Sequence, residues 1–367
     1  MNNEKLYQVA LSLIPNIGPV LSRQLINHFA TPEAIFSATR GKLSKIPGIG
    51  EKLSKMIPNE KVMLKKAEQV ISKSEKSGIA IHYYKEKNFP ARLHPVSDSP
   101  IVLYTKGNID LNGSRNIGIV GTRKATQYGL ENTGEIIQQA KFANPTIISG
   151  LAYGIDIKAH KEALKSELPT IAVLACGLDA IYPTRHRAIA ESMLETGGLV
   201  SEYPIGTKAD PRFFPARNRI IAALSDAVIV VEAAKRGGAL ITGNIAFSYD
   251  RAVFAVPGDL KSSYSEGCNN LIKQLKASIY TSFKDISETL NWDIEDEQIE
   301  KKSKSYEKLT GNDQMVVQTL LANKKQMHLD QLSWQSQIPL GQLASILLLL
   351  EFDGIIKPLP GKEYRLI

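Results

Sequence analysis

Cysteine is almost absent from this 367-residue chain: Cys176 and Cys268 are the only two. They lie far apart, without the spacing of a zinc ligand set or the density of a disulfide scaffold, which points to a reducing compartment. Long hydrophobic runs are missing too. The leucine-rich stretch at 346–350 falls far short of the roughly 20 apolar residues that cross a bilayer. The opening residues, MNNEKLYQ, lack the basic-then-apolar layout of a signal peptide, so the cytoplasm is the expected location. Acidic residues are outnumbered, 37 against 45 Lys and Arg, and the resulting +8 favours a polyanionic partner through counterion release. Composition excludes gross disorder, since 43% of residues are hydrophobic and 22% charged. The length exceeds one ordinary core and predicts two or three domains.

Residues 1–72 show helical periodicity, with Leu6, Val9, Ala10 and Leu13 on one face, then Leu21, Leu25, Ile26 and Phe29. Two short turns interrupt them, Pro15-Asn16-Ile17-Gly18 and Pro47-Gly48-Ile49-Gly50, each followed by a helix. They look like helix-hairpin-helix turns, whose amides can touch phosphate without reading sequence; Asn16 stands where a glycine is expected. From about 73 to 290 the pattern changes. Short Val/Ile/Leu runs at 101–104, 116–120, 146–149, 170–175, 198–201, 227–231 and 252–256 alternate with helical stretches at 128–143, 154–165, 186–195 and 217–224. Near-continuous apolar strands between helices predict a Rossmann-like, doubly wound, mainly parallel α/β sheet. Residues 291–308 are charged and poor in apolar residues, the composition of a linker. Residues 309–367 offer three helices and a two-strand ending over Pro360-Gly361-Lys362, the outline of a winged helix.

In an open α/β sheet, ligands bind beyond the carboxyl ends of the strands. Gly121-Thr122-Arg123 sits at such an end, before a helix. Gly121 lets backbone approach a phosphate, Thr122 offers a hydroxyl and Arg123 a planar fork, although a packing turn would also take glycine. Ser149-Gly150, at the next strand end, predicts a second anion nest beside the first. Asp156 reads as a helix cap and His160 as structural, since no third metal ligand accompanies them. Tyr182, Phe213 and Phe214 interleave with Arg185, Arg187, Arg212, Arg217 and Arg219, which fits backbone neutralisation with base stacking. Gly237-Gly238 and Pro257-Gly258 add open backbone at further strand ends. Neither a dinucleotide fingerprint nor a Walker loop is present, so no nucleotide cofactor is indicated. Cys268 has no base partner, and neither a Ser-His-Asp set nor paired carboxylates emerge, so the expectation is binding without catalysis.

The motifs GIVGTRKATQYG (118–129), SGLAYGIDIKAH (149–160), IAVLACGLDAIYPTRHR (171–187), FPARNRIIAALSDAVIVVEA (214–233), GGALIT (237–242) and FAVPGDLKSSYSEGCNNLI (254–272) together resemble the DNA-processing protein A (Smf) family. The resemblance implies a single-stranded DNA binder that helps load the recombinase RecA and protects incoming DNA in transformation. It further implies a homodimer formed through the Rossmann-like domain and no cofactor or metal. By motif position, Gly121, Thr122 and Arg123 correspond to the phosphate-binding loop. Ser149, Gly150, Arg217, Asn218, Arg219 and Gly238 correspond to the pocket, and Arg187 and Arg212 to basic DNA-contacting positions; Phe214 joins them as a stacking ring. Tyr153 departs from the family, standing where arginine is common, as do Ala175 and His186 in place of glycine and asparagine. A competing enzyme reading, a nucleoside-monophosphate phosphoribohydrolase, finds faint echoes in Arg217, Glu232 and Gly237-Gly238 but lacks that fold's Pro-Gly-Gly-x-Gly-Thr signature. Ile220, Ile221, Leu224 and the strands near Ala252 are the candidate dimer surface. The helix predicted at 340–352 carries no Lys or Arg, which favours protein contact over duplex reading.

Overall fold

The computed structural model describes residues 3–56, 60–292, 309–323, 326–353, 355–359 and 361–366. Contacts divide the chain into two units, Met1–Trp292 and Asp293–Ile367. Most of the expected linker, 293–308, lies outside the described residues.

The first unit opens with six helices, α1 (Asn3–Ser12), α2 (Pro19–Phe29), α3 (Pro32–Phe36), α4 (Arg40–Leu43), α5 (Glu51–Met56) and α6 (Glu60–Lys76). Leu6, Val9, Ala10, Leu25 and Ile26 are buried, as their spacing predicts. Asn16 and Gly48 occupy equivalent turn positions, with φ of 64° and 84°. Asparagine tolerates this left-handed region better than other side chains, so the departure at Asn16 is accommodated without a glycine. The helices share one core with the sheet that follows: Leu6, Val9, Leu25 and Ile71 belong to the same buried cluster as Val102, Tyr104, Leu174 and Leu199. Arg23 of α2 adds a polar seam, donating to the Tyr84 hydroxyl at 2.8 Å and the His94 carbonyl at 2.9 Å.

The sheet has nine strands: β1 (Ala80–Tyr83), β2 (Val102–Gly107), β3 (Asn116–Val120), β4 (Thr146–Ser149), β5 (Thr170–Val173), β6 (Gly198–Ser201), β7 (Ala227–Val230), β8 (Ala252–Ala255) and β9 (Ser278–Ile279). Their order is β1-β2-β6-β5-β4-β3-β7-β8-β9. From β6 to β9 every pairing is parallel; β1 and β2 run antiparallel at one edge. Between the strands run α7 (Gln127–Ala140), α8 (Ile155–Lys165), α9 (Arg187–Ser192), α10 (Phe213–Leu224), α11 (Gly238–Ser248), α12 (Glu266–Lys273) and α13 (Phe283–Thr289). Both faces are covered: Ile171 and Val173 of β5 enter the core with α10, while Ala172 and Leu174 enter the opposite one. That is why the strands carry unbroken apolar runs. Short β1 and β9 lack such a run, and α11 starts at Gly238, where the glycine pair predicts an open turn.

The candidate dimer residues are corrected by this packing. Ile220, Ile221 and Leu224 are 0, 1 and 1% exposed on the inward face of α10, and β8 lies between β7 and β9, so none presents a surface to a second copy.

The second unit contains α14 (Gly311–Ala322), β10 (Gln326–His328), α15 (Leu329–Ser336), α16 (Leu340–Phe352), β11 (Ile356–Leu359) and β12 (Glu363–Leu366). Its sheet runs β10-β12-β11, antiparallel throughout, over a core including Val317, Leu320, Leu332, Leu343, Leu347 and Ile356. This is a winged helix, with β10 a strand the sequence pattern does not reveal. Leu348, Leu349 and Phe352 of α16 stay exposed.

Candidate nucleic-acid interface

Strand order reverses direction about β3: chain-successive strands β4, β5 and β6 extend to one side, β7, β8 and β9 to the other. The turns leaving β3 and β7 therefore diverge, and a crevice opens between them at the carboxyl ends. A cleft of about 590 Å³ lies here, lined among others by Gly121, Thr122, Arg123, Phe214, Asn218 and Gly238. Arg217, Asp156, Tyr182 and Arg236 also reach it.

The β3 turn is braced from β7. The Thr122 amide donates to the Glu232 carbonyl at 2.7 Å, and the Glu232 carboxylate accepts from the Thr126 amide at 2.9 Å and its hydroxyl at 2.7 Å. The β4 turn braces it from the other side. Gly154 has φ +76°, and a Cβ there would lie 2.2 Å from the Thr122 carbonyl oxygen, so only glycine fits. What remains free for a ligand is the Arg123 side chain, exposed at the lip, with its guanidinium 5.3 Å from the Phe214 ring centre. Phe214 in turn meets Tyr182, ring centres 5.6 Å apart.

Phe214, Asn218 and Ile221 all line the cleft because α10 starts at Phe213, placing positions i, i+4 and i+7 on one face. The sequence pattern predicts a later start, at 217, and so obscures this spacing. Pro215 in the first turn, where no amide partner is needed, was the available signal. On the opposite wall the Asn218 side chain donates to the Gly238 carbonyl at 3.3 Å, tying α10 to the start of α11. Arg236, exposed beside this wall, was not among the expected contacts.

Other expected contacts are placed differently. Ser149 is buried, and its hydroxyl donates to the Ile119 carbonyl at 2.6 Å, stapling β4 to β3. Gly150 lies under the Arg217 guanidinium, which donates to the Gly150 carbonyl at 2.6 Å and also to that of Val173. At the expected second anion nest, backbone hydrogen bonding from Ala152 and Gly150 works with Arg217 against the burial that raises the Asp156 pKa. Arg219 is buried against Glu202 and donates to the Asp98 carbonyl at 2.5 Å, away from the cleft lining. Arg187 is exposed at the start of α9, outside the lining. Arg212 is exposed as well and closes a two-point pair on Asp210, both contacts 2.9 Å.

Electrostatics separates floor from rim. Burial raises the Asp156 pKa, and Arg217 beside it opposes that shift. Burial likewise lowers Arg217 to about 10, with Asp156 opposing, so the guanidinium stays charged at neutral pH. His160, behind them, is pushed down to about 3 by burial and is neutral, its Nδ1 2.7 Å from the Thr170 hydroxyl. The floor thus holds a buried guanidinium that main-chain carbonyls satisfy, whereas Arg123 and Arg236 bring positive charge to the rim. Among the described residues no cluster of His, Cys, Asp or Glu could hold a metal, and no helix is long and apolar enough to cross a membrane.

The family model described as DNA recombination-mediator protein A matches residues 80–291, more than half of the chain. The chain belongs to the DNA recombination-mediator protein A family. A model of the SAM-like helix-hairpin-helix tandem matches residues 9–59, and that of the DprA winged helix domain residues 300–362. Protein Smf of Synechocystis is 38% identical over 275 residues, 74% of this chain and 69% of the relative. DNA processing protein DprA of Bacillus subtilis is 38% identical over 226 residues, 61% and 76%. Among solved structures, DNA processing protein A of Streptococcus pneumoniae matches with TM-score 0.64 and 30% identity, covering 78% of this chain and 97% of that one. The Helicobacter pylori protein, whose structure concerns its single-stranded DNA binding mode, matches with TM-score 0.53 and 30% identity over 59% and 96%. A role in DNA processing comes with the family, and the phosphoribohydrolase reading is not favoured.

Proposed function

We propose that this protein grips single-stranded DNA in the cleft at the carboxyl ends of β3 and β7. The observation that carries this reading is the rim: two exposed arginines, Arg123 and Arg236, with Phe214 and Tyr182 beside Arg123. Guanidinium groups neutralise backbone phosphates, and aromatic rings stack bases of any identity, the combination that non-specific strand binding requires. Gly121, Thr122, Asn218 and Gly238 shape the groove. Arg217, Arg219, Ser149 and Gly150 act beneath it, as internal supports for the walls. Arg187, outside the cleft, adds to the positive surface along which a longer strand runs, whereas Arg212, also outside it, is paired with Asp210.

No chemical step is assigned to the cleft. Asp156 is buried beneath it, and the Glu232 carboxylate already accepts a main-chain amide and a hydroxyl. In keeping with the family, the bound strand is handed to the recombinase RecA in the cytoplasm and is protected during natural transformation and recombination. The working form is a homodimer through the Rossmann-like unit. The winged helix, whose α16 offers leucine and phenylalanine instead of cations, contacts protein.

The test is oligothymidine affinity measured against salt concentration. Each phosphate contact in a single strand adds about 0.7 to the log–log slope, so Arg123→Ala flattens it by roughly that amount. A variant with the affinity and slope of the parent would remove the cleft from consideration.

A further inference from the structure

Beside the cleft mouth, on the β4 side, stands an aromatic surface that gripping at the Arg123 turn leaves unused. Tyr153 is 45% exposed and lies outside the cleft lining. Its ring stands edge-on to His186, centroids 4.8 Å apart and planes at 71°. His186 is buried, with Nδ1 2.7 Å from the Leu151 carbonyl; that oxygen can only accept, so the ring nitrogen donates and the imidazole is fixed. The loop under Tyr153 is fixed too, with Leu151 at φ 57° and Gly154 packed on the main chain of Thr122 and Arg123. A solvent-facing ring thus stands beside His186 on a loop whose next residue, Gly154, packs against the turn that carries Arg123. Arg185 and Arg187, both exposed, flank His186 in the chain and add positive charge to the same surface.

We propose that Tyr153 is a second base-stacking platform for single-stranded DNA, taking the nucleotide that follows the one held in the cleft. The proposal rests on the cleft being the strand-binding site. Stacking on an exposed ring tolerates any base, and a ring already fixed in place loses little freedom when it binds. A tyrosine ring is an uncharged contact, so its share of the affinity persists as salt rises.

The experiment compares oligothymidine with an abasic strand of equal length, by fluorescence anisotropy across a salt series. The full-length parent, Tyr153→Ala, Tyr153→Phe and Arg123→Ala are measured, with thermal unfolding as the control for folding. Tyr153→Ala is expected to bind oligothymidine about tenfold more weakly with an unchanged salt slope. Tyr153→Phe binds like the parent, and on the abasic strand the parent and Tyr153→Ala coincide. Parental affinity of Tyr153→Ala for oligothymidine overturns the proposal. So does an equal loss on the abasic strand, or a flattened slope, because either marks a phosphate contact. Failure of the cleft itself is read separately, from Arg123→Ala alone.

Discussion

Arg123, Arg217 and Arg219 carry the same guanidinium into three environments. At the lip Arg123 faces solvent and an aromatic ring, free to meet an anion. Arg217 is spent on two main-chain carbonyls, while Arg219 is spent on Glu202 and the Asp98 carbonyl. His160 shows the same dominance of surroundings. Burial lowers its pKa from 6.5 to about 3. The unfolded chain therefore takes up a proton below pH 6.5 that the folded one refuses. His160 stability is complete above pH 6.5 and is lost as pH falls towards 3, at about 1.4 kcal/mol per pH unit. Between pH 6.5 and 5 urea unfolding should thus show a loss of about 2 kcal/mol from this group. His160→Gln, which can still reach Thr170, should remove that part of the pH dependence; parallel pH profiles for the two proteins would exclude it.

At the scale of elements, the binding turn is shaped by its neighbours. Glu232, at the end of β7, holds the main chain of the β3 turn through its carbonyl and its carboxylate at once. Thr126, gripped by that carboxylate, also caps α7 by accepting the Gly129 amide at 3.3 Å. Glu232→Ala leaves a half-buried amide and hydroxyl without their acceptor, a cost of about 1–3 kcal/mol in unfolding free energy. Oligothymidine binding should weaken as the turn loosens, yet the salt slope should persist because Arg123 remains. A stable variant with unaltered binding would show the brace to be dispensable. Most of this element level was legible beforehand: β3, β4 and β6 have the limits their apolar runs suggest. Edge strands β1 and β9 escaped because they are short and half covered, and α11 escaped because it begins on glycine.

For the whole molecule, the assembly question turns on the β9 edge. Leu275 is 86% exposed and sits at φ 57°, a backbone region that leucine avoids. Phe247 and Ile279 are also exposed, and Lys276 bonds Asn244 of α11 at 2.9 Å, holding this corner together. A second copy seated there would cover apolar groups that water now meets, in place of the Ile220 and Leu224 surface that the core already occupies. For the proposed homodimer, an interface at this edge makes Leu275→Glu monomeric in light scattering, with unchanged thermal stability of the protomer. A monomeric parent protein would overturn the dimer, and a variant that still dimerises would move the interface elsewhere.

Pattern and spacing alone determined the doubly wound sheet, the helical start and the winged-helix end, because burial on two faces and glycine turns at strand ends leave periodic traces in a chain; the family followed from the resemblance of its motifs. They also marked the Gly121-Thr122-Arg123 turn. Only the tertiary structure decided which of the marked residues face the cleft. Ser149, Arg217 and Arg219 turn inward while Phe214 and Asn218 turn outward, and Arg236 arrives from the turn between β7 and α11. The physical reason is that side-chain direction depends on where each helix begins and on which partner satisfies each buried charge. Both are set by contacts between residues far apart in the chain.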